Sequence, residues 1–163
     1  MRGDRDDTLP MRNLRDHLSA YANYHRDPRN IATHFFGIPM IVVGLGTLLS
    51  RPVIVDASSL SLPLPSLSPA VIVVLGMLAF YTRLDLRYAT VMTVLLGGTL
   101  YLASWFAAQS TLLWLSAGLL LFVLGWAIQF VGHFFEGKKP AFVDDLVGLI
   151  VGPLFVVDRK SVV

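Results

Sequence analysis

The 163-residue chain contains no cysteine. That removes disulfides, thiolate metal sites, iron–sulfur clusters and cysteine nucleophiles. Charge is also scarce: Asp, Glu, Lys and Arg make up 15% of the chain, against about 25% in an ordinary soluble domain. Glutamate occurs once, at Glu136, and histidine four times. Apolar residues account for 55% of the sequence, and the mean hydropathy is +0.65. Little charge with so much apolar surface points to lipid rather than to a large aqueous core.

Four stretches approach the roughly 20 apolar residues that a spanning helix needs: 31–50, 69–86, 88–108 and 112–135. The second reaches that length only by including its charged end. A fifth stretch, 141–157, is apolar but carries Asp144, Asp145, Gly148, Gly152 and Pro153. The charged N-terminus lacks the continuous apolar core of a cleavable signal peptide.

The sequence pI of about 9.2 reflects membrane orientation rather than nucleic-acid binding, because the basic residues flank the apolar stretches. Six precede the first span, Arg83 and Arg87 separate the second and third, Lys138 and Lys139 follow the fourth, and Arg159 and Lys160 close the chain. Only Arg51 falls on the other side when the N-terminus is cytoplasmic. By the positive-inside rule this predicts four crossings, with both termini cytoplasmic, in a bacterial inner membrane. A fifth crossing would spoil the asymmetry, so 141–157 is expected to be re-entrant or interfacial.

The expected fold class is therefore all-α: a polytopic membrane protein forming a single membrane-embedded domain over residues 1–163. Residues 9–25 read as an interfacial amphipathic helix, with Leu14, Leu18, Tyr21 and His25 at helical spacing. Asp27 before Pro28 ends it, and Asn30 is the expected N-cap of the first span. The segment 51–68 reads as a connector.

Topology brings distant polar residues to one depth. His25 ends the interfacial helix, His34 lies one turn into the first span, and His133 and Glu136 lie at the end of the fourth. The start of span one and the end of span four are both cytoplasmic. His17 lies eight residues before His25, about 12 Å along a helix, too far to share a compact site. A lone histidine near a helix end is usually just hydrogen-bonded at the interface, but three at one depth argue for a site. Ionisable groups in membrane segments are functional more often than not. Against that stands a structural role for Glu136, as a snorkelling partner of Lys138 or Arg29.

Histidine and carboxylate without thiolate suit Fe(II), Mn or Zn. Two or three histidines with one carboxylate leave positions open for substrate and dioxygen, as in mononuclear non-haem iron oxygenases. Four histidines cannot fill the histidine-rich boxes of two-metal membrane desaturases, so one metal is the ceiling. Gln129 is placed one turn before His133 to orient it. Gly132 would let another helix approach, and Gly37 with Pro39 would bend the first span. Tyr21, Tyr24, Trp126, Phe130, Phe134 and Phe135 are candidates for the wall of an acyl-chain cavity or for interfacial anchors.

Residues 21–39 (YANYHRDPRNIATHFFGIP) and 129–141 (QFVGHFFEGKKPA) together resemble the paired motifs of a family of small membrane dioxygenases of fungi and bacteria. A yeast member degrades 2-hydroxy fatty acids derived from phytosphingosine. The resemblance implies Fe(II)-dependent α-oxidation, shortening a long-chain 2-hydroxy fatty acid by one carbon with dioxygen. It places His25, His34 and His133 on the family's histidines, and Glu136 and Asn30 on its accompanying polar positions. The metal set is then His25, His34, His133 and Glu136. Tyr24, Arg26, Arg29 and Asn30 are the candidate substrate contacts, the arginines pairing with its carboxylate. The head group would sit at the cytoplasmic interface among membrane lipids. Two other readings stay open: a zinc-dependent membrane hydrolase with Glu136 as general base, and a small transporter or scaffold with structural histidines. Transport is the weaker, because the span centres offer little beyond threonine, serine and glycine.

Overall fold

The computed structural model describes residues 13–56, 66–140 and 146–158. These form six helices, with no strand beyond one isolated bridge between Val55 and Leu67. The first helix, α1 (Leu14–Tyr24), opens with a reciprocal capping box between Asn13 and Asp16. The expectation for residues 9–12 lies outside the described residues.

Helix α2 (Pro28–Ser50) starts earlier than the sequence suggested. Its N-cap is Asp27, not Asn30: the Asp27 carboxylate accepts from the Arg29 N–H, and Pro28 takes the first helical position. Proline there loses no hydrogen bond and has its φ preset. Asn30 is thereby released from capping, and its side chain is buried.

Ser68 caps α3 (Pro69–Leu84). Asp85 is both the end of α3 and the N-cap of α4 (Leu86–Ala107), accepting from the Arg87 and Tyr88 N–H groups. Ser110 caps α5 (Thr111–Glu136), which ends on Gly137 at φ 67°, a left-handed conformation that glycine adopts without a Cβ penalty. The last helix is α6 (Val147–Val157); residues 141–145, including the Asp144–Asp145 pair, lie outside the described residues.

Three helices, α2, α4 and α5, are long and apolar enough to cross a membrane. Helix α3 has 16 residues, a rise of about 24 Å, and α6 has 11, about 16 Å; the hydrocarbon core is about 30 Å thick. The outward surfaces of α4 and α5 are apolar, with Val94, Tyr101, Leu112, Leu120 and Val123 all exposed. These features are compatible with an integral membrane protein.

The tightest packing joins α2 to α5 through glycines. A Cβ at Gly44 would lie 2.6 Å from the Phe122 backbone nitrogen, and one at Gly125 would lie 2.9 Å from the Gly37 carbonyl oxygen. Gly118, Gly125 and Gly132 recur every seven residues along α5 and so form one seam. Where lipid is as apolar as leucine, such close backbone contact holds helices together through van der Waals packing. At Gly132, α2 comes so near that Asn30 and Thr33 occupy the space of the missing side chain.

The other core is aromatic and aliphatic. Tyr81, Met92, Leu96, Leu154 and Phe155 are buried together with Leu18 and Tyr21. Through it α6 is fixed to the bundle, since the Tyr81 hydroxyl donates to the Ile150 carbonyl at 2.7 Å.

Candidate metal centre

The α1–α2 corner and the end of α5 bring His25, His34 and His133 together, one ligand atom from each lying within 4.8 Å of the others. His25 is the C-cap of α1, His34 lies in the second turn of α2, and all three are buried. Ring centroids are 4.3 Å apart for His25 and His34, and 5.2 Å for each with His133.

The backbone fixes two of the tautomers. His25 Nδ1 donates to the Tyr21 carbonyl at 2.7 Å, and His34 Nδ1 to the Asn30 carbonyl at 2.8 Å. A carbonyl only accepts, so the proton resides on Nδ1 and the Nε2 lone pair is free. Tyr21 stacks on His25 with centroids 4.2 Å apart and planes 15° off parallel. Burial pushes the His25 pKa down to about 4, outweighing the opposing pull of its Tyr21 hydrogen bond. The ring is thus neutral at physiological pH, as a ligand must be. Burial likewise raises the Tyr21 hydroxyl above its ordinary value.

His25 Nε2 and His133 Nδ1 are buried with no hydrogen-bond partner among the described residues. Buried polar atoms are rarely left so. Imidazole rings converging in a largely apolar pocket, with the Nε2 lone pairs of His25 and His34 free, fit a single divalent transition metal.

Glu136 does not join the cluster. Its carboxylate accepts from the Arg26 N–H at 2.9 and 3.0 Å, the Asp27 N–H at 2.8 Å and Asn30 Nδ2 at 3.1 Å. Lys138 Nζ adds a bond to the Asn23 carbonyl at 3.0 Å. The end of α5, which carries His133, is thereby tied to the corner that carries His25 and His34. Charge-assisted bonds of this kind are about twice as strong as neutral ones.

The proposed substrate contacts surround this tie rather than the pocket. Arg29 pairs with the Asp27 carboxylate at 2.8 Å and stacks over Phe135 at 4.3 Å. The same hydrogen bond holds the Asp27 pKa down at about 2. The Arg26 guanidinium bonds Asn23, Asn30 bonds Glu136 as above, and Tyr24 is half-buried. None of the four lines the cavity at the histidines, whose walls include Tyr21, Ile38, Trp126, Gln129, Gly152 and Pro153. Gln129 is buried with both amide atoms unpartnered among the described residues, so no bond orients His133 through it. His17 packs edge-on against Phe80 at 5.7 Å, away from the cluster. Sequence reasoning missed the α6 wall, whose Phe155 reaches both Tyr21 and His25.

A family model described as "2-hydroxy-palmitic acid dioxygenase Mpo1-like" matches residues 11–161, which takes in all three histidines and Glu136. The chain belongs to this Mpo1-like family. It is 35% identical over 147 residues to the 2-hydroxy-palmitic acid dioxygenase MPO1 of Saccharomyces cerevisiae, covering 88% of this chain and 76% of the yeast protein. No solved structure matches.

Proposed function

We propose that the chain is an Fe(II)-dependent dioxygenase that shortens long-chain 2-hydroxy fatty acids by one carbon at the cytoplasmic face of a membrane. The observation that carries this reading is the buried cluster of His25, His34 and His133, with free ring nitrogens converging on one pocket. Membership of the Mpo1-like family supports an oxidoreductase acting on a 2-hydroxy fatty acid.

The overall chemistry closes without an external reductant. RCH(OH)COOH and O2 give RCOOH, CO2 and H2O: the substrate loses four electrons and dioxygen takes up four. Bound to the three histidines, Fe(II) would act as template and electron source. The protein's own residues do the rest. Nδ1 bonds to backbone carbonyls orient two of the rings, Tyr21 and Phe155 shield His25 from water, and Gln129 offers a donor and an acceptor to the substrate's polar head.

Glu136 serves in this reading as a positioning residue, not as a ligand or a base. Its oxygens already receive bonds from two backbone amides and Asn30. A zinc-hydrolase mechanism therefore lacks its general base. Four helices cross the membrane in this reading, α3 included, and α6 remains in the cytoplasmic half against α1 and the start of α2.

Purified, iron-loaded protein given 2-hydroxy-palmitic acid under ¹⁸O₂ tests the reaction. The expected product is one carbon shorter and carries ¹⁸O in its new carboxyl group. Turnover that continues without oxygen, or with zinc alone, would overturn the reading.

A further inference from the structure

The small pocket at the histidines, about 70 Å³, adjoins a cavity of about 630 Å³. The two share Ile41, Val42, Trp126, Leu149 and Pro153 in their walls. From there the larger cavity follows α2 past Leu45 and Gly46 to Leu49, and meets α3 from Met77 back to Ala70. Between His34 and Leu49 the helix rises about 22 Å, more than the depth of one leaflet, half of a core about 30 Å thick. Its volume lies in the range of about 300–1,000 Å³ usual for ligand pockets.

The wall chemistry selects the occupant. Among the described residues of the wall, Thr99 contributes the only side-chain hydroxyl, and that hydroxyl is turned back onto the Leu95 carbonyl at 3.0 Å. Beyond Trp126, which also borders the histidine pocket, the cavity therefore offers an alkyl chain a largely apolar wall, and polar side chains converge at the histidine end. A ligand that fills both spaces has a polar, metal-binding head and a long apolar tail.

Two glycines line the passage. A Cβ at Gly76 would meet nothing within 4 Å, and one at Gly46 would meet Ala103 and Thr99 only at 3.6 Å, ordinary contact distance. Neither position forbids a Cβ, unlike those of the α2–α5 seam, and at Gly46 it would face Ala103 and Thr99 of α4. The residues expected from sequence to wall such a cavity mostly do not: Phe134 is 81% exposed and Phe130 54%, and of the six only Trp126 borders this space.

We propose that this cavity is the acyl-chain site and that Gly46 and Gly76 hold it open, so that the free length beyond Trp126 determines the longest chain accepted. The proposal rests on the dioxygenase reading for the identity of the head group, but the chain site is testable without turnover.

Gly76→Leu, Gly46→Val and the outward-facing control Gly97→Leu, which has nothing within 4 Å and lines no cavity described here, are compared with the unchanged protein. The kcat/KM ratio of 2-hydroxy-palmitic to 2-hydroxydecanoic acid should fall at least tenfold in the two cavity variants and hold steady in Gly97→Leu. Equilibrium binding of the same radiolabelled acids should lose the long chain in parallel. A ratio that is unchanged in both cavity variants, or lowered equally in Gly97→Leu, overturns the chain site. If the unchanged protein turns over neither acid, the dioxygenase reading falls, and the binding ratio alone decides the chain site in the same way.

Discussion

Along one flank α2 meets α5 backbone to backbone, with Gly44 against Phe122 and Gly125 against the Gly37 carbonyl. Along the other, the side chains of α2 and α3 border a cavity of about 630 Å³, and Gly76 has open space around it. Glycine thus does two opposite things in one bundle. On the closed flank it removes side chains so that helices can touch, which fixes His34 relative to His133. On the open flank it removes a side chain so that something else can enter. A metal site needs its ligands held to within a fraction of an ångström, whereas a chain site needs room. The molecule separates those demands onto different helix pairs.

The largest expected effect breaks the closed flank. Gly44→Leu forces a side chain against the Phe122 backbone, which cannot rotate away. Overpacking usually costs about 1–3 kcal/mol, and a backbone obstacle puts this site at or beyond the upper end. Thermal unfolding in detergent should show a marked drop in Tm together with loss of bound iron. The same exchange at Gly97, where no atom approaches within 4 Å, should stay within about 0.5 kcal/mol. Equal melting temperatures for the two variants would erase the distinction between the flanks.

An intermediate effect is expected at the tie between α5 and the α1–α2 corner. Glu136→Gln keeps the shape but loses the charge that strengthens the bonds from Arg26 and Asp27. Iron affinity should fall about 10- to 100-fold, as is typical for residues that orient ligands without touching the metal. Helical content, read by circular dichroism, should be unchanged. Full iron binding in Glu136→Ala would show that the tie does not position the histidines.

The smallest effect tests the cap at the opposite end of α5. Ser110→Ala removes the side-chain acceptor at the start of α5, far from the histidines, and should cost about 1 kcal/mol of stability with no change in iron content.

Much of this was legible in the sequence, for identifiable reasons. The apolar runs marked α2 to α6 and the spacing of Leu14, Leu18 and Tyr21 marked α1, because a helix that could span a membrane needs length and leaves little freedom in composition. The three histidines were placed together by topology alone: antiparallel spans one and four bring a helix start beside a helix end. Gly132 was read correctly as a point of helix approach. Other features depend on which partner wins a competition, which residue type does not disclose. Asp27 captured the N-cap from Asn30 because Pro28 follows it, and Glu136 went to backbone amides because the corner presents two N–H groups side by side. The cavity was invisible for a simpler reason. It is made by what Gly46 and Gly76 lack, and a missing side chain leaves no periodic signal. Of the aromatic residues that seemed suited to line it, Trp126 does, whereas Phe130 and Phe134 face outward on α5.

Anaerobic iron titration of the unchanged protein beside His25→Ala, His34→Ala, His133→Ala and His17→Ala examines the three-histidine centre itself. One Fe(II) per chain should bind, each of the first three variants should lose it, and His17→Ala, whose ring packs on Phe80 outside the cluster, should keep it. Iron lost as completely from His17→Ala as from His133→Ala, or two irons per chain, would contradict a single metal held by His25, His34 and His133.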